Sequence, residues 1–196
     1  MVEVLERGDI AFWYRPRVQA AGALVHTPGV QSFFFVLSTG GRHRRLRIGR
    51  KRMPSPTGQR FWVRVERVGS FRRAVGDQLE DEHYRTKTRG DRFQPGARPI
   101  AQGCYALVRH DDHIHLVHRV EHVERPEELT EEIAVPEASS LIVLFERTPR
   151  TKATWTTAGS IDLLDEEGAE VVLVGVDDEP EDALGVDIVP APSPRP

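Results

Sequence analysis

The chain predicts an α+β fold: mainly an antiparallel, partly closed β-sheet or barrel with two short helices and a C-terminal acidic tail. Three observations predict it. Residues 31–50 and 103–123 each alternate apolar and polar side chains on both sides of a short turn, which is the pattern of a hairpin. Short strand-like runs recur between turn signals, about six or seven in all, a spacing typical of barrels and sandwiches. Only two stretches, 71–84 and 126–133, carry helical signals.

In order along the chain, Gly8-Asp9 precede IAFWYRP, a short apolar strand that stops at Pro16, which has no N–H for a ladder. Residues 17–29 form a loop ending in the turn signal Pro28-Gly29. Residues 31–38 (QSFFFVLS) and 42–50 (RHRRLRIGR) pair about Gly40-Gly41. That pairing puts Phe33, Phe35, Leu37, Leu46 and Ile48 on a core face, with Phe34, Val36, His43, Arg45 and Arg47 on the other. PSPTG at 54–58 is a loop. Residues 61–68 are a strand with Phe61, Val63 and Val65 inward and Trp62, Arg64 and Glu66 outward. Residues 71–84 read as an amphipathic helix with Phe71, Val75 and Leu79 at helical spacing. Residues 126–133 read as a short acidic helix opening on proline, and 139–146 (SSLIVLFE) as a strand. The main α+β domain therefore spans 1–147 and a linker 148–160. A segment at 161–176, with the apolar run VVLVGV, packs on the main domain, and 177–196 form a disordered, acidic and proline-rich tail.

The stretch 84–122 holds the densest mix of chemically capable side chains. Asp111-Asp112 as a two-residue turn pairs His110 with His113, Val108 with His115, Leu107 with Leu116 and Tyr105 with His118. Tyr105, Leu107, Ile114, Leu116 and Val120 then share the core face. His110, His113 and His115 share the other, where three imidazoles are candidate ligands for a divalent metal. A solvated hairpin tip that tolerates histidine is the plainer alternative. His118, beside Tyr105, reads as a buried, hydrogen-bonded histidine. Upstream, Arg85, Lys87, Arg89 and Arg92 crowd a segment with Thr86, Thr88 and a turn at Gly90-Asp91. Arginine forks, hydroxyls and glycine-turn amides suit a phosphate or carboxylate.

The outer sheet face interleaves aromatic rings and guanidinium groups: Phe34 and Trp62 with Arg45, Arg47 and Arg64. Such a face is a platform for base stacking and phosphate contact. Charge is segregated beneath a net of −3. Residues 42–73 hold twelve Arg or Lys against one acid, Glu66, a balance of +11, and residues 121–187 balance at −15. No apolar run approaches the ~20 residues of a membrane helix, and the opening MVEVLERGDI is not a signal peptide. One cysteine, Cys104, excludes an intrachain disulfide and a cysteine zinc cluster. Together these predict a soluble, cytoplasmic protein. There is no GxxxxGK[ST] loop, nucleophile elbow, HExxH or dinucleotide glycine pattern.

Three blocks, LERGDIAFWYRPRV, YRTKTRGDRFQPGARPIAQGCYALVRH and LLDEEGAEVVLVG, resemble a family of bacterial proteins with no assigned activity. The resemblance spans much of the chain. It implies that 161–176 belong to the fold, and it transfers no catalytic residue. GDIAFWY is also similar to the opening strand of EVE-type, PUA-like domains, which bind modified bases in nucleic acids.

The reading that follows is a non-enzymatic module that binds nucleic acid or a phosphorylated ligand. Its ligand contacts are Phe34, Arg45, Arg47, Trp62 and Arg64, with Arg85, Lys87 and Arg89 as a second group. Two alternatives remain: a metal-dependent enzyme using His110, His113 and His115 as ligands, and a protein-interaction domain whose acidic tail meets a basic partner or the chain's own basic face.

Overall fold

Both hairpins form in the register that the alternation requires. Gly40 and Gly41, at φ of 54° and 80°, make the two-residue turn between β3 (Val30–Thr39) and β4 (Arg42–Ile48). Positive φ at both positions matches the turn to the twist of the strands, and sets Phe35 against Leu46 and Phe33 against Ile48. Asp111, at φ 55°, turns β8 (Arg98–His110) into β9 (His113–Val123) and pairs His110 with His113 and Tyr105 with His118. The N-terminal ammonium of Met1 holds this turn, 2.8 Å from Asp111 Oδ1. The computed structural model describes residues 1–21, 29–124, 133–146, 155–157, 159–177 and 184–188.

The remaining strands are β1 (Val2–Pro16), β2 (Gln19–Ala20), β5 (Arg60–Gly69), β6 (Glu82–Thr86), β7 (Gly90–Gln94), β10 (Ala138–Glu146), β11 (Trp155–Thr156) and β12 (Glu170–Asp177). Eight of the twelve close into an antiparallel barrel in the order β10-β12-β5-β4-β3-β1-β8-β9, with β9 returning to β10. Closure is more complete than the partly closed sheet expected. Two strands account for this. β1 begins at Val2 and pairs along its length with β8, and β12 is hydrogen-bonded on both sides, to β5 and β10. The main domain therefore does not end near 147, because its last barrel strand lies beyond it. β11 pairs with the end of β10, and β2-β7-β6 form a separate three-stranded sheet.

Inward residues of successive strands fill the barrel. Ile10, Phe12, Tyr14, Phe33, Phe35, Leu46, Val63, Leu107, Leu116, Leu141 and Leu173 belong to one continuous buried cluster. An eight-stranded barrel is just wide enough for its own side chains, and here they fill it. Met53, Ile133, Val135 and Leu164, from segments between strands, complete the same cluster.

The helix expected over 71–84 is shorter. A π-helical turn, Arg72–Gly76, runs into Asp77–Leu79, and the chain is extended by Glu80. Ala74 and Val75 are buried, but Phe71 and Leu79 are exposed, so the apolar stripe is too narrow to hold a longer helix. Residues 82–86 instead pair with 90–94, a long-range choice that local periodicity does not reveal. The second expected helix falls on residues outside those described, apart from Ile133. Within the expected linker, Trp155–Thr156 is a strand. Within the expected tail, Leu184, Val186 and Ile188 pack on Cys104, Ala106, Val108 and Val117, on the outer face of β8 and β9. Their alternation with Gly185 and Asp187 gives them a face to bury. Among the described residues no helix is long and apolar enough to cross a membrane.

Candidate functional site

β4 and β5 present their outward side chains beside the turn at Glu167-Gly168 and the start of β12. Together they form an open groove of about 570 Å³. Trp62, 56% exposed, stands in it and meets Trp155 edge-on, with ring centres 4.9 Å apart. Gly49, opposite Trp62, adds no side chain to the groove. Arg47 and Arg64 are directly paired across β4 and β5 and both are exposed. Arg47 Nη1 donates to Glu66 Oε1 at 3.1 Å, and Arg67 Nη1 to the Glu66 carbonyl at 3.0 Å. Glu66, Glu167 and Glu170 also line the groove, so its charge is mixed. The Glu167 carboxyl is held below its ordinary range by the Val68 N–H, and further by Arg73.

The expected aromatic-basic platform is thus only partly accessible. Phe34 is 1% exposed. It lies beneath the 71–79 helix with Ala74 and Val75, and stacks with Trp13 at 6.5 Å and 3° between planes. Arg45 is buried as well. Its Nη1 donates to Asp77 Oδ1 at 2.6 Å and its guanidinium lies 5.8 Å from the Phe34 ring centre. Its Nε is 3.1 Å from Glu66 Oε2 without the alignment of a hydrogen bond. Parity placed both side chains outward correctly. The helix that folds back over β3 then covers them: Phe34 lies under it, and Arg45, which borders the groove, is held to it through Asp77.

The second group divides as well. Arg85 and Tyr84 point to opposite faces of the β6–β7 hairpin. Arg85 Nε is 3.6 Å from Asp91 Oδ1. Lys87 sits in the turn between the two strands. Arg89 alone of the three lines a smaller pocket, of about 290 Å³, together with Arg17, Val18, Gln31, Tyr84, Thr86 and Arg92.

His110, His113 and His115 do come together at the hairpin tip, with ring centres 6.1 Å (His110–His115) and 6.4 Å (His113–His115) apart. Two imidazoles on one tetrahedral zinc, at ~2.0–2.1 Å per bond, have centres about 5 Å apart. Each ring is also directed elsewhere. His113 Nδ1 lies 2.6 Å from Asp112, His110 Nε2 3.6 Å from Asp111, and His115 Nδ1 2.9 Å from the Ser140 hydroxyl. Burial, and then the neighbouring His110 and His113, push His115 down to about 4. Among the described residues no three His, Cys, Asp or Glu side chains are arranged to hold a metal ion. The expected metal site is therefore a hairpin tip organised by its own aspartates and Ser140. His118 is the buried histidine anticipated. Its Nε2 donates to the Pro136 carbonyl at 3.4 Å, which leaves Nδ1 to accept from the Ser139 hydroxyl at 3.1 Å.

One cluster was missed. Arg44 is 1% exposed and forks between two carboxylates. It donates to Glu6 through Nη1 (2.5 Å) and Nη2 (3.0 Å), and to Asp165 through Nε (2.6 Å) and Nη2 (3.2 Å). Tyr105 OH donates to Glu6 Oε1 at 2.6 Å. Burial pulls the guanidinium down, but Asp165 and Glu6 outweigh it, and its pKa ends above the ordinary value. Burial first, and then Glu6, raise that of Tyr105. The signal was present, because Arg44 shares the parity of Leu46 and Ile48. The cluster ties the barrel to the three-ten turn Ile161–Asp165 through a largely buried guanidinium. No family model, curated protein or solved structure matches the chain.

Proposed function

We propose that the protein is a non-enzymatic binding module for nucleic acid or a phosphorylated ligand, and that the groove on β4, β5 and β12 receives it. One observation carries the reading: Trp62 stands half-exposed in an open groove with Arg47, Arg64 and Arg67 around it. An exposed indole offers a face for a base, at about 1–3 kcal/mol per stacked base. Arginine forks meet phosphate bidentately and also stack. The mixed charge of the groove favours single strands, whose bases are free to stack, over a duplex recognised through phosphates alone.

Fluorescence polarisation with labelled single-stranded RNA and DNA tests this reading. Binding should appear at ~50 mM salt and weaken as salt rises. Trp62→Ala should lower affinity without changing the salt slope. Arg47→Ala and Arg64→Ala should each flatten the slope by roughly 0.7. Absence of binding at ~50 mM salt overturns the proposal.

A further inference from the structure

The outward track of β5 runs past the end of the groove. Arg60, Trp62 and Arg64 are successive outward residues of this one strand, because Phe61 and Val63 enter the core between them. Each is about 6.7 Å along the strand from the next, two residues at the rise of a β-strand. That spacing is close to the distance between neighbouring phosphates of an extended nucleic-acid strand. The order along β5 is cation, ring, cation. The order along a single strand is phosphate, base, phosphate.

The charges at the two ends of this track are open, whereas those in the middle of the groove are largely committed. The Glu66 carboxylate lies 3.1 Å from both Arg45 Nε and Arg47 Nη1. The Glu167 carboxylate accepts from the Val68 N–H at 2.9 Å and from Arg73 Nη2 at 3.1 Å. The guanidinium groups of Arg60 and Arg64 have no hydrogen-bond or ion-pair partner among the described residues, although Glu170 stands directly across from Arg64. Arg64 Nη2 lies instead over Gly168, 3.8 Å from where a Cβ would stand. Arg60 is exposed, and its neighbour on β12 is Val174, which brings no charge. Between the two cations the indole of Trp62 is available. Trp155 meets it at 86°, and one perpendicular contact occupies at most one face of the ring. On the β4 side stands Gly49, whose N–H donates to the Trp62 carbonyl at 2.8 Å and which places no side chain against the other face.

We infer that a single-stranded nucleic acid lies along β5, with one base on Trp62 and its two flanking phosphates on Arg60 and Arg64. This rests on the groove being the binding site. It adds a contact, Arg60, that does not line the groove. It also names the ligand as a phosphodiester chain and not a lone phosphate group. Each arginine fork meets phosphate oxygens in pairs, and the ring stacks any base, so the track reads the repeat of the chain and not its sequence.

Isothermal titration calorimetry on the full chain at ~50 mM salt, where phosphate contacts are strong, decides it. The probes are adenosine, its 5′-monophosphate, its 3′-monophosphate, its 3′,5′-bisphosphate and an adenylate tetranucleotide, with the deoxyribose forms alongside to tell RNA from DNA. The bisphosphate should bind more tightly than either monophosphate, and the tetranucleotide more tightly still. Arg60→Ala should bring the bisphosphate down to the level of a monophosphate, a loss of roughly fivefold, the upper range for one exposed ion pair. Arg98 is exposed on β8, across the barrel from β5. Arg98→Ala removes the same charge and should change binding less than about twofold, because screening limits its reach. If the tetranucleotide binds but the bisphosphate is no tighter than the monophosphates, or if Arg60→Ala matches Arg98→Ala, the track along β5 is overturned and the groove stands. If neither these probes nor longer oligonucleotides bind, both fall together.

Discussion

His115 and His118 are both buried, 6% and 0% exposed, and both are pushed down to about 4. For His118 burial dominates, against the Pro136 carbonyl, which raises it. Both are therefore neutral in the folded protein at pH 5, whereas in the unfolded chain they titrate near the ordinary value of ~6.5. Between these values the unfolded chain binds more protons, so stability falls as pH falls. It is fully present above pH ~7.5 and declines from 6.5 toward 4, at about 2 kcal/mol per histidine by pH 5. Urea midpoints at pH 8 and pH 5 should show this loss, and His115→Gln should remove part of it. An unchanged pH dependence in that variant would sink the assignment. The sequence indicated that His118 was internal through its pairing with Tyr105. It did not show that His115 would be covered, because Ser140 and β10 arrive from 25 residues away.

At the scale of elements, β12 decides whether the barrel exists. Its Val171 and Leu173 enter the core, and its backbone pairs with β5 and β10 at once. Gly175 allows the loop before β5 to approach so closely that a Cβ would overlap the Ser55 carbonyl, and backbone bonds join Gly58 and Gln59 to Gly175 there. Asp165, just ahead of β12, anchors the segment to Arg44. Truncation at residue 160 should therefore leave two unpaired strand edges and an open core, a state prone to edge-to-edge association. Circular dichroism with size-exclusion chromatography should find aggregated or unfolded protein; a monomer with cooperative unfolding would contradict this placement. The apolar run VVLVGV marked the strand in the sequence, but a run that is apolar at nearly every position carries no alternation that names its neighbours.

At the scale of the molecule, the charge segregation is largely an internal complementarity. Asp165 meets Arg42 and Arg44, Glu167 meets Arg73, and Glu170 stands across from Arg64. Among the described residues, the acids that meet the basic segment come from 165–170 and from Glu6, Glu66 and Asp77. Leu184, Val186 and Ile188 sit on β8 and β9, on the far side of the barrel from β4 and β5 in the strand order, and Arg7 Nη1 donates to the Asp187 carbonyl at 2.5 Å. Competition between this part of the tail and the groove is therefore not expected. Deleting 184–196 should leave oligonucleotide affinity within about twofold and should lower stability by exposing Cys104, Ala106, Val108 and Val117. Polarisation and urea titrations of the truncated chain check both; a several-fold rise in affinity would return the tail to the groove.

The sequence by itself determined which side chains of each hairpin face inward and the register of the two main turns. Both are local: side-chain direction alternates every residue, and a two-residue turn leaves one pairing. It also determined that Trp62 and Arg47 face outward. Only the tertiary structure decided which outward faces remain open. Phe34 and Arg45 share the parity of Arg47, and they lie under a helix contributed from 71–79. Arg17 and Arg89 are more than seventy residues apart and line one pocket because β2 pairs with β7. Coverage and convergence depend on segments distant in the chain, whose positions are set by closing the barrel and burying its surfaces, and no short-range pattern of residues records them.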